Sequence, residues 1–510
     1  MSVMGLDIGT TGCKVVAFNE TGAILARAYR EYPLLHPLPD RSELDVSHLW
    51  QRVSEVLQEV NSQVTRDPVV ALAISCQGEA VVPVGHDGLP LDNVVVTFDS
   101  RTLEQYRWWQ QTVAPQALFE ITGMPLHPMY SLNKIMWFKS QRPTLFKQAW
   151  KFLCVEDYIV HRLGLAPAID YSLAARTMAF DVRRKQWSSQ VLGWAGVDED
   201  LLANAVPSGT CLGEVDRNVA KELGFQPKVI VVAGGHDQPC GALGAGIISP
   251  GIAMNAIGTS DVVCPAFAQP ILTEQMRLAN YSCYPHTYPG TYVTIAFNLT
   301  GGLLLRWYRD TLCQSEIATA QHSGLDPYDV IIDQARADPA DVLILPHFVG
   351  SGTPTMDPLS RGAILGLSLS TTKAELTRAV LDCNNYEMRL NLEAMENLGI
   401  PINELRAIGG GAKSVRWLQF KADVFGKPVV SLQVSEAACL GAAILAGTAA
   451  GVFPSIDAGV KATVRVAKNF IPNPFQHALY EERYNRFRSI YPLLQEYNHN
   501  LVQTLGTHAS

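Results

Sequence analysis

The chain has 510 residues, with 40 basic against 48 acidic side chains and a formal charge of −8. A single hydrophobic core stops growing near ~250–300 residues, so two domains are expected. Hydrophobic residues make up 47% and charged residues 17%, which excludes a disordered chain, and the mild acidity without a basic run leaves no footprint for nucleic acid or a membrane surface.

The first elements read as a strand meander: residues 3–8, a turn at Gly9-Thr10-Thr11-Gly12, residues 13–19, a second turn, and residues 23–29. An amphipathic helix follows over 46–64, with Asp45 or Ser47 as its cap. Residues 69–75 form a buried strand, and 81–85 with 94–98 read as a hairpin around His86-Asp87-Gly88. A long, mostly helical section covers 103–223. Residues 229–233 are apolar and mostly β-branched, which fits a central parallel strand. Ser249-Pro250-Gly251 divides the expected domains into 1–248 and 249–510. The second half repeats the first in miniature, because Ala256-Ile257-Gly258-Thr259-Ser260 echoes Asp7-Ile8-Gly9-Thr10-Thr11. Further helices are expected over 372–398, 415–425 and 436–451, with a strand at 405–408 and an amphipathic helical ending at 475–505. The charge-free stretch between Glu436 and Asp457 has the length of a membrane span, but its Gly and Ala content predicts a closely packed buried helix.

The ten cysteines are scattered singly and no Cys-x-x-Cys occurs. That spacing reads against zinc ribbons and redox motifs and for a reducing, cytoplasmic setting. The N-terminus has no basic start and apolar run, so no signal peptide is expected.

Four glycine turns each follow an apolar strand: Gly9–Gly12, Gly258-Thr259-Ser260, Gly301-Gly302 and Gly409-Gly410-Gly411. Glycines let backbone approach a ligand, and successive amides or a helix N-terminus bind phosphate. Thr10, Thr11 and Lys14 suit phosphate oxygens, and Asp7 at a strand end suits a hydrated Mg²⁺. A plain hairpin turn accounts for the same residues equally well. No Gly-x4-Gly-Lys-(Ser/Thr) is present, and Gly241–Gly246 has the wrong glycine order for a dinucleotide fingerprint. Asp237 follows the central strand, where α/β proteins place ligands, and could take a proton from a substrate hydroxyl in phosphoryl transfer. The alternative is an Asp that caps the next helix. Gln77, Glu79, Asp99 and Gln238 supply donors and acceptors for a hydroxyl-rich ligand, or else exposed polar loops.

Taken together, these segments resemble the FGGY carbohydrate kinases. The matching residues are Asp7–Lys14, Thr97–Arg101, Asp170–Thr177, Ala233–Gln238, Ala256–Ser260, Leu345-Pro346, Gly350–Pro354, Asp357-Pro358, Arg361-Gly362 and Ile408–Asp423. The resemblance implies an α/β chain with two ribonuclease-H-like domains of the actin and hexokinase type, facing a central cleft that takes ATP, Mg²⁺ and a sugar. It implies Asp237 as general base and Asp7 near the metal. Thr10, Thr11, Lys14, Gly258, Thr259 and Gly302 would surround the phosphates, with Gly410 and Gly411 behind the adenosine. Gln77, Glu79, Asp99 and Gln238 would contact the sugar. A homodimer is the family expectation. The loop Gln77-Gly78-Glu79-Ala80 departs from the Gln-Met-His-Gly of D-xylulose kinases and shares only its Glu with the Arg-Glu of glycerol kinases. A pentulose such as D-xylulose is the expected acceptor, with L-xylulose, ribulose, erythritol and glycerol as alternatives. A non-kinase ATP-binding module of the actin-like superfamily is the competing reading.

Overall fold

The computed structural model describes residues 1–507, with side chains through 502. The first sheet is built on Ser2–Ile8, whose Val3, Met4, Leu6 and Ile8 are all essentially inaccessible. A strand buried on both faces needs partners on both edges. Gly12–Phe18 pairs with it antiparallel on one edge and continues antiparallel to Ile24–Glu31. On the other edge Val69–Cys76 and then Ile230–His236 run parallel to it, and Cys211–Glu214 closes the sheet antiparallel. The helix Val46–Gln63 begins where the Asp45 carboxylate accepts the His48 N–H at 2.8 Å, and it lays Leu49, Val53, Val56, Leu57 and Val60 on this sheet.

The second sheet repeats the plan. Gly251–Ile257 lies between antiparallel Asp261–Phe267 and parallel Ile402–Ile408, followed by parallel Val429–Leu432 and antiparallel Val466–Phe470. The echo between the two halves therefore occupies equivalent positions: each Ile-Gly-Thr ends the strand at which its sheet changes from antiparallel to parallel. Ligands in open α/β sheets collect at such points.

Two short helices join the halves, and each packs on the other half's sheet. Asp237–Gly244 directly follows the first sheet's parallel strand, yet Gly241 lies against Met254 and Ile408 of the second sheet. Ala437–Ala449 comes from the second half and packs on the first sheet, so close that a Cβ on Gly5 would lie 1.9 Å from the Cys439 carbonyl oxygen. This is the charge-free stretch, and it is a buried helix with small residues at its contacts. Among the described residues no helix is long and apolar enough to cross a membrane.

The expected hairpin at 81–98 takes another form. Val82–Gly85 pairs with Ala149–Leu153, and Val94–Val95 pairs with Glu43–Leu44. Only the isolated bridge of Val81 with Val95 joins the two runs, while Val84 bridges to Pro90 in the connection between them. Partners from elsewhere in the chain, one upstream and one downstream, took the edges that a local hairpin would have paired. The 103–223 section is likewise less helical than expected, since it contains the short strands Ala149–Leu153, Ala168–Asp170 and Asn204–Val206 among its helices.

Candidate active site

The parallel strands of the first sheet all end on one side of the molecule and deliver Asp7, Gln77 and Asp237 there. Asp237 opens the helix Asp237–Gly244, whose N-cap is His236. It does not act as a cap. Its Oδ1 is shielded from solvent and has no hydrogen-bond partner. His236 Nε2 lies 3.2 Å away, outside hydrogen-bond geometry, while His236 Nδ1 meets the Tyr284 hydroxyl at 3.1 Å. Burial first, then the Arg176 charge, pushes His236 down to about 3, so the ring is neutral. Gln238 Oε1 is the second buried acceptor without a partner. Buried polar atoms are nearly always satisfied, so two orphaned acceptors side by side mark a place for hydroxyl donors.

The Asp237 carboxyl is raised from the usual carboxylate range to about 8, first by burial and then by the charges of Asp7 and Glu79. Its side chain is 35% exposed, so water works against that shift. Asp7 accepts the Ser75 hydroxyl at 2.8 Å. Burial raises its carboxyl too, opposed by the Ser75 hydrogen bond and the Lys14 charge. The described residues contain no cluster of three or more His, Cys, Asp or Glu side chains that could hold a metal. A half-buried carboxylate such as Asp7 fits Mg²⁺ in particular, because that ion keeps waters and substrate phosphates as its other ligands.

Glu79 sits at φ +60°, a left-handed conformation that an L side chain adopts only under constraint. The constraint is an ion pair. Its carboxylate is bound by the Arg176 guanidinium and also accepts the Thr97 hydroxyl at 3.2 Å. Burial would raise Glu79, but the Arg176 and Lys134 charges outweigh it and hold the carboxylate below its usual range. Lys134, fully buried, donates to the Glu79 carbonyl at 2.6 Å, and burial lowers it to about 8.

The other residues expected at the sugar are more tightly engaged. Gln77 accepts the Thr10 hydroxyl at 3.1 Å and donates to the Gly9 carbonyl at 3.3 Å, so it braces the first glycine turn. Asp99 is 2% exposed. Its two oxygens each take an Arg101 N–H at 2.7 Å, and Oδ2 also takes the Ser42 N–H at 2.8 Å. Arg101 reaches on to Glu43 at 2.7 Å. Thr11 is exposed at the turn tip. Lys14 Nζ lies 2.6 Å from Glu436 at the start of the helix Ala437–Ala449.

The other glycine turns gather on the second sheet. Gly258 and Thr259 form the exposed tip between Gly251–Ile257 and Asp261–Phe267. Gly302, in the first turn of the helix Gly301–Leu312, donates its N–H to the Gly258 carbonyl at 2.8 Å, and a Cβ on Gly302 would sit 2.5 Å from that oxygen. Gly411 packs on Ile257, where a Cβ would meet Cγ2 at 2.3 Å, whereas a Cβ on Gly410 would face open space. Gly258, Thr259, Gly302, Gly410 and Gly411 thus surround the end of one strand.

Sequence reasoning did not assign Arg176, Lys134 or Glu436. Arg176 lies inside the motif Asp170–Thr177, which offered a signal. Lys134 and Glu436 belong to no motif, and only the fold pairs them with Glu79 and Lys14.

The solved xylulose kinase of Rhodospirillum rubrum superposes with a TM-score of 0.88 at 25% identity, over 98% of this chain and all of that one. Among curated proteins, a xylulose kinase of Staphylococcus epidermidis is 29% identical over 505 residues, covering 98% of both chains. A gluconokinase of Bacillus subtilis is also 29% identical, over 96% of this chain and 94% of its own. Residues 2–244 match the N-terminal domain and residues 253–450 the C-terminal domain of the FGGY family of carbohydrate kinases, and the chain belongs to that family as a carbohydrate kinase.

Proposed function

We propose that the protein transfers the γ-phosphoryl group of ATP to a primary hydroxyl of a small neutral sugar, a pentulose such as D-xylulose. The observation that carries this reading is the pair of orphaned acceptors, Asp237 Oδ1 and Gln238 Oε1, at the helix start beside Asp7. A polyol has the donors both atoms lack. The sugar hydroxyl donates its proton to Asp237 as its oxygen forms a bond to the γ-phosphorus, and the bond to the ADP oxygen breaks. Gln238, Glu79, Gln77 and Asp99 orient the acceptor, the last two through the Thr10 turn and the Arg101 network. Thr10, Thr11, Lys14, Gly258, Thr259 and Gly302 receive the phosphates, and Gly410 and Gly411 back the adenosine. Asp7 holds the hydrated Mg²⁺ of the nucleotide, which supplies charge neutralisation at the phosphates.

A pentulose is favoured by the relatives named xylulose kinase. The local pocket has its own shape, however. A Cβ on Gly78 would lie 3.1 Å from His236 Cδ2 and 3.4 Å from Arg176 Cβ, so this wall leaves little room for a larger side chain. ADP release from Mg-ATP, measured against D-xylulose, L-xylulose, both ribuloses, glycerol, erythritol and gluconate, tests the reading. Strong release with D-xylulose, reduced about 10³-fold in Asp237→Asn with ADP affinity retained, is the expected result. Release with another sugar alone would reassign the acceptor. Release independent of any sugar would overturn the kinase mechanism in favour of an ATPase.

A further inference from the structure

The strand that delivers Asp237 is held by side chains at its last residues. Its register against Val69–Cys76 slips between Val232 and Gly235. Such a bulge re-aims the backbone and leaves N–H groups that need other partners. Glu156 Oε1 accepts the Gly234 N–H at 2.7 Å, and its Oε2 accepts the Asp170 N–H at 2.8 Å. Asp170 Oδ1 takes the Ser172 hydroxyl and the Leu173 N–H, both at 2.9 Å. Asp170 Oδ2 takes the Ser172 N–H at 2.8 Å and the Ser208 hydroxyl at 2.6 Å. Ser172 Oγ, oriented by that donation, accepts the His236 N–H at 2.9 Å. Gly235 fits between them without slack, since a Cβ there would lie 2.5 Å from Thr287 Cγ2 and 2.9 Å from Ser172 Oγ.

Glu156, Asp170 and Ser172 are all 0% exposed. Burial pushes both carboxyls up, and neither is paired with a Lys, Arg or His among the described residues. Two buried acids without a counter-charge are costly to the fold. Asp170 repays part of that by capping the short helix Tyr171–Ala175. Glu156 caps nothing; its bonds go to the strand before Asp237 and to Asp170.

We propose that Glu156 and Asp170 are positioning residues for the phosphoryl transfer, fixing the backbone of 234–236 and through it the direction of the Asp237 carboxylate. This rests on the reading of Asp237 as the base. Misplacing a reacting group by about 1 Å costs about 10²-fold in rate, so a bracing pair of this kind acts on kcat. It gives a role to the start of the motif Asp170–Thr177, whose Arg176 already holds Glu79.

The test is a double-mutant cycle in the full-length enzyme, with kcat expressed per nucleotide-binding site. Glu156→Gln keeps the shape but places an amide NH₂ against an N–H donor. We expect a 10- to 100-fold fall in kcat with the KM for ATP within about twofold of wild type. In an Asp237→Glu background, where the base is already displaced, the same change should cost less than threefold. An equal loss in both backgrounds overturns the proposal, because a merely structural role is indifferent to where the base sits. A wild-type kcat in Glu156→Gln overturns it as well. Ser172→Ala, which removes the acceptor for the His236 N–H together with the hydroxyl donated to Asp170, runs the same cycle should Glu156→Gln not fold. Asp237→Asn stands as the separate arm: retained turnover there refutes the base itself, whatever the cycle shows.

Discussion

Gly441 meets Cys240 so closely that a Cβ on the glycine would lie 1.9 Å from the Cys240 carbonyl oxygen. Gly244 meets Ala437 in the same way, also at 1.9 Å. The helices Asp237–Gly244 and Ala437–Ala449 therefore cross backbone to backbone, and each rests on the sheet of the opposite half. The neighbour at each crossing is main chain, which has no rotamer to give. Gly441→Ala should destabilise the fold by about 3 kcal/mol, the upper range for overpacking. Denaturant unfolding measures this. An unchanged midpoint would mean that the helices can slide apart freely.

Lys421 Nζ lies 2.5 Å from Asp261 Oδ2, with both side chains wholly buried. Asn255 Nδ2 donates to the other oxygen of Asp261 at 2.5 Å. Asp261 directly follows the Gly258-Thr259-Ser260 turn, so the pair anchors the proposed phosphate loop. Lys421→Met removes the counter-charge and leaves Asp261 buried alone, which should cost about 3–5 kcal/mol. Asp261→Asn added to it removes the orphaned charge and should restore most of the stability. The KM for ATP should rise in the single variant and recover in the double. Unfolding curves and ATP titrations of the three enzymes check both parts, and a double variant no better than the single would refute the electrostatic account.

The local elements were legible where one strand or helix carries its own signal. Residues 415–425 read as a helix and form one at Val415–Phe425, because Ser414 caps it and its apolar stripe is regular. The strand before Asp237 was visible in its β-branched run, although it extends to His236 where the reading stopped at 233. The glycine turns were visible as turns, but the grouping of the last three around the end of Gly251–Ile257 follows from sheet order, which no local pattern contains. The hairpin at 81–98 failed for the same reason: Ala149–Leu153 lies far along the chain and took the edge. Buried partners such as Glu156 and Lys134 were illegible because neither belongs to a local pattern, and their roles come from backbone atoms 55 and 78 residues away.

The charge balance around Asp237 makes a pH prediction. Glu79 helps raise the Asp237 carboxyl, and Arg176 lowers it. Glu79→Gln removes the negative neighbour and releases Arg176 from its ion pair, so both effects push the Asp237 pKa down. A base with a lower pKa is deprotonated at lower pH. The acid limb of kcat/KM for the sugar should therefore move to lower pH by about one unit, even as KM for the sugar rises. An acid limb that stays in place would separate Glu79 from the base. Stability follows the opposite course to activity. The Asp237 carboxyl rises from an unfolded value of about 3.9 to about 8 on folding, so the proton it holds favours the native state. That contribution is complete below about pH 4 and is lost as pH rises toward 8. Asp237→Asn cannot ionise, and it should melt above the wild type at pH 8 while having lost turnover. Thermal unfolding at pH 5 and pH 8 measures the difference, which should be larger at the higher pH. A gap that is the same at both would mean that the Asp237 carboxyl titrates in its ordinary range.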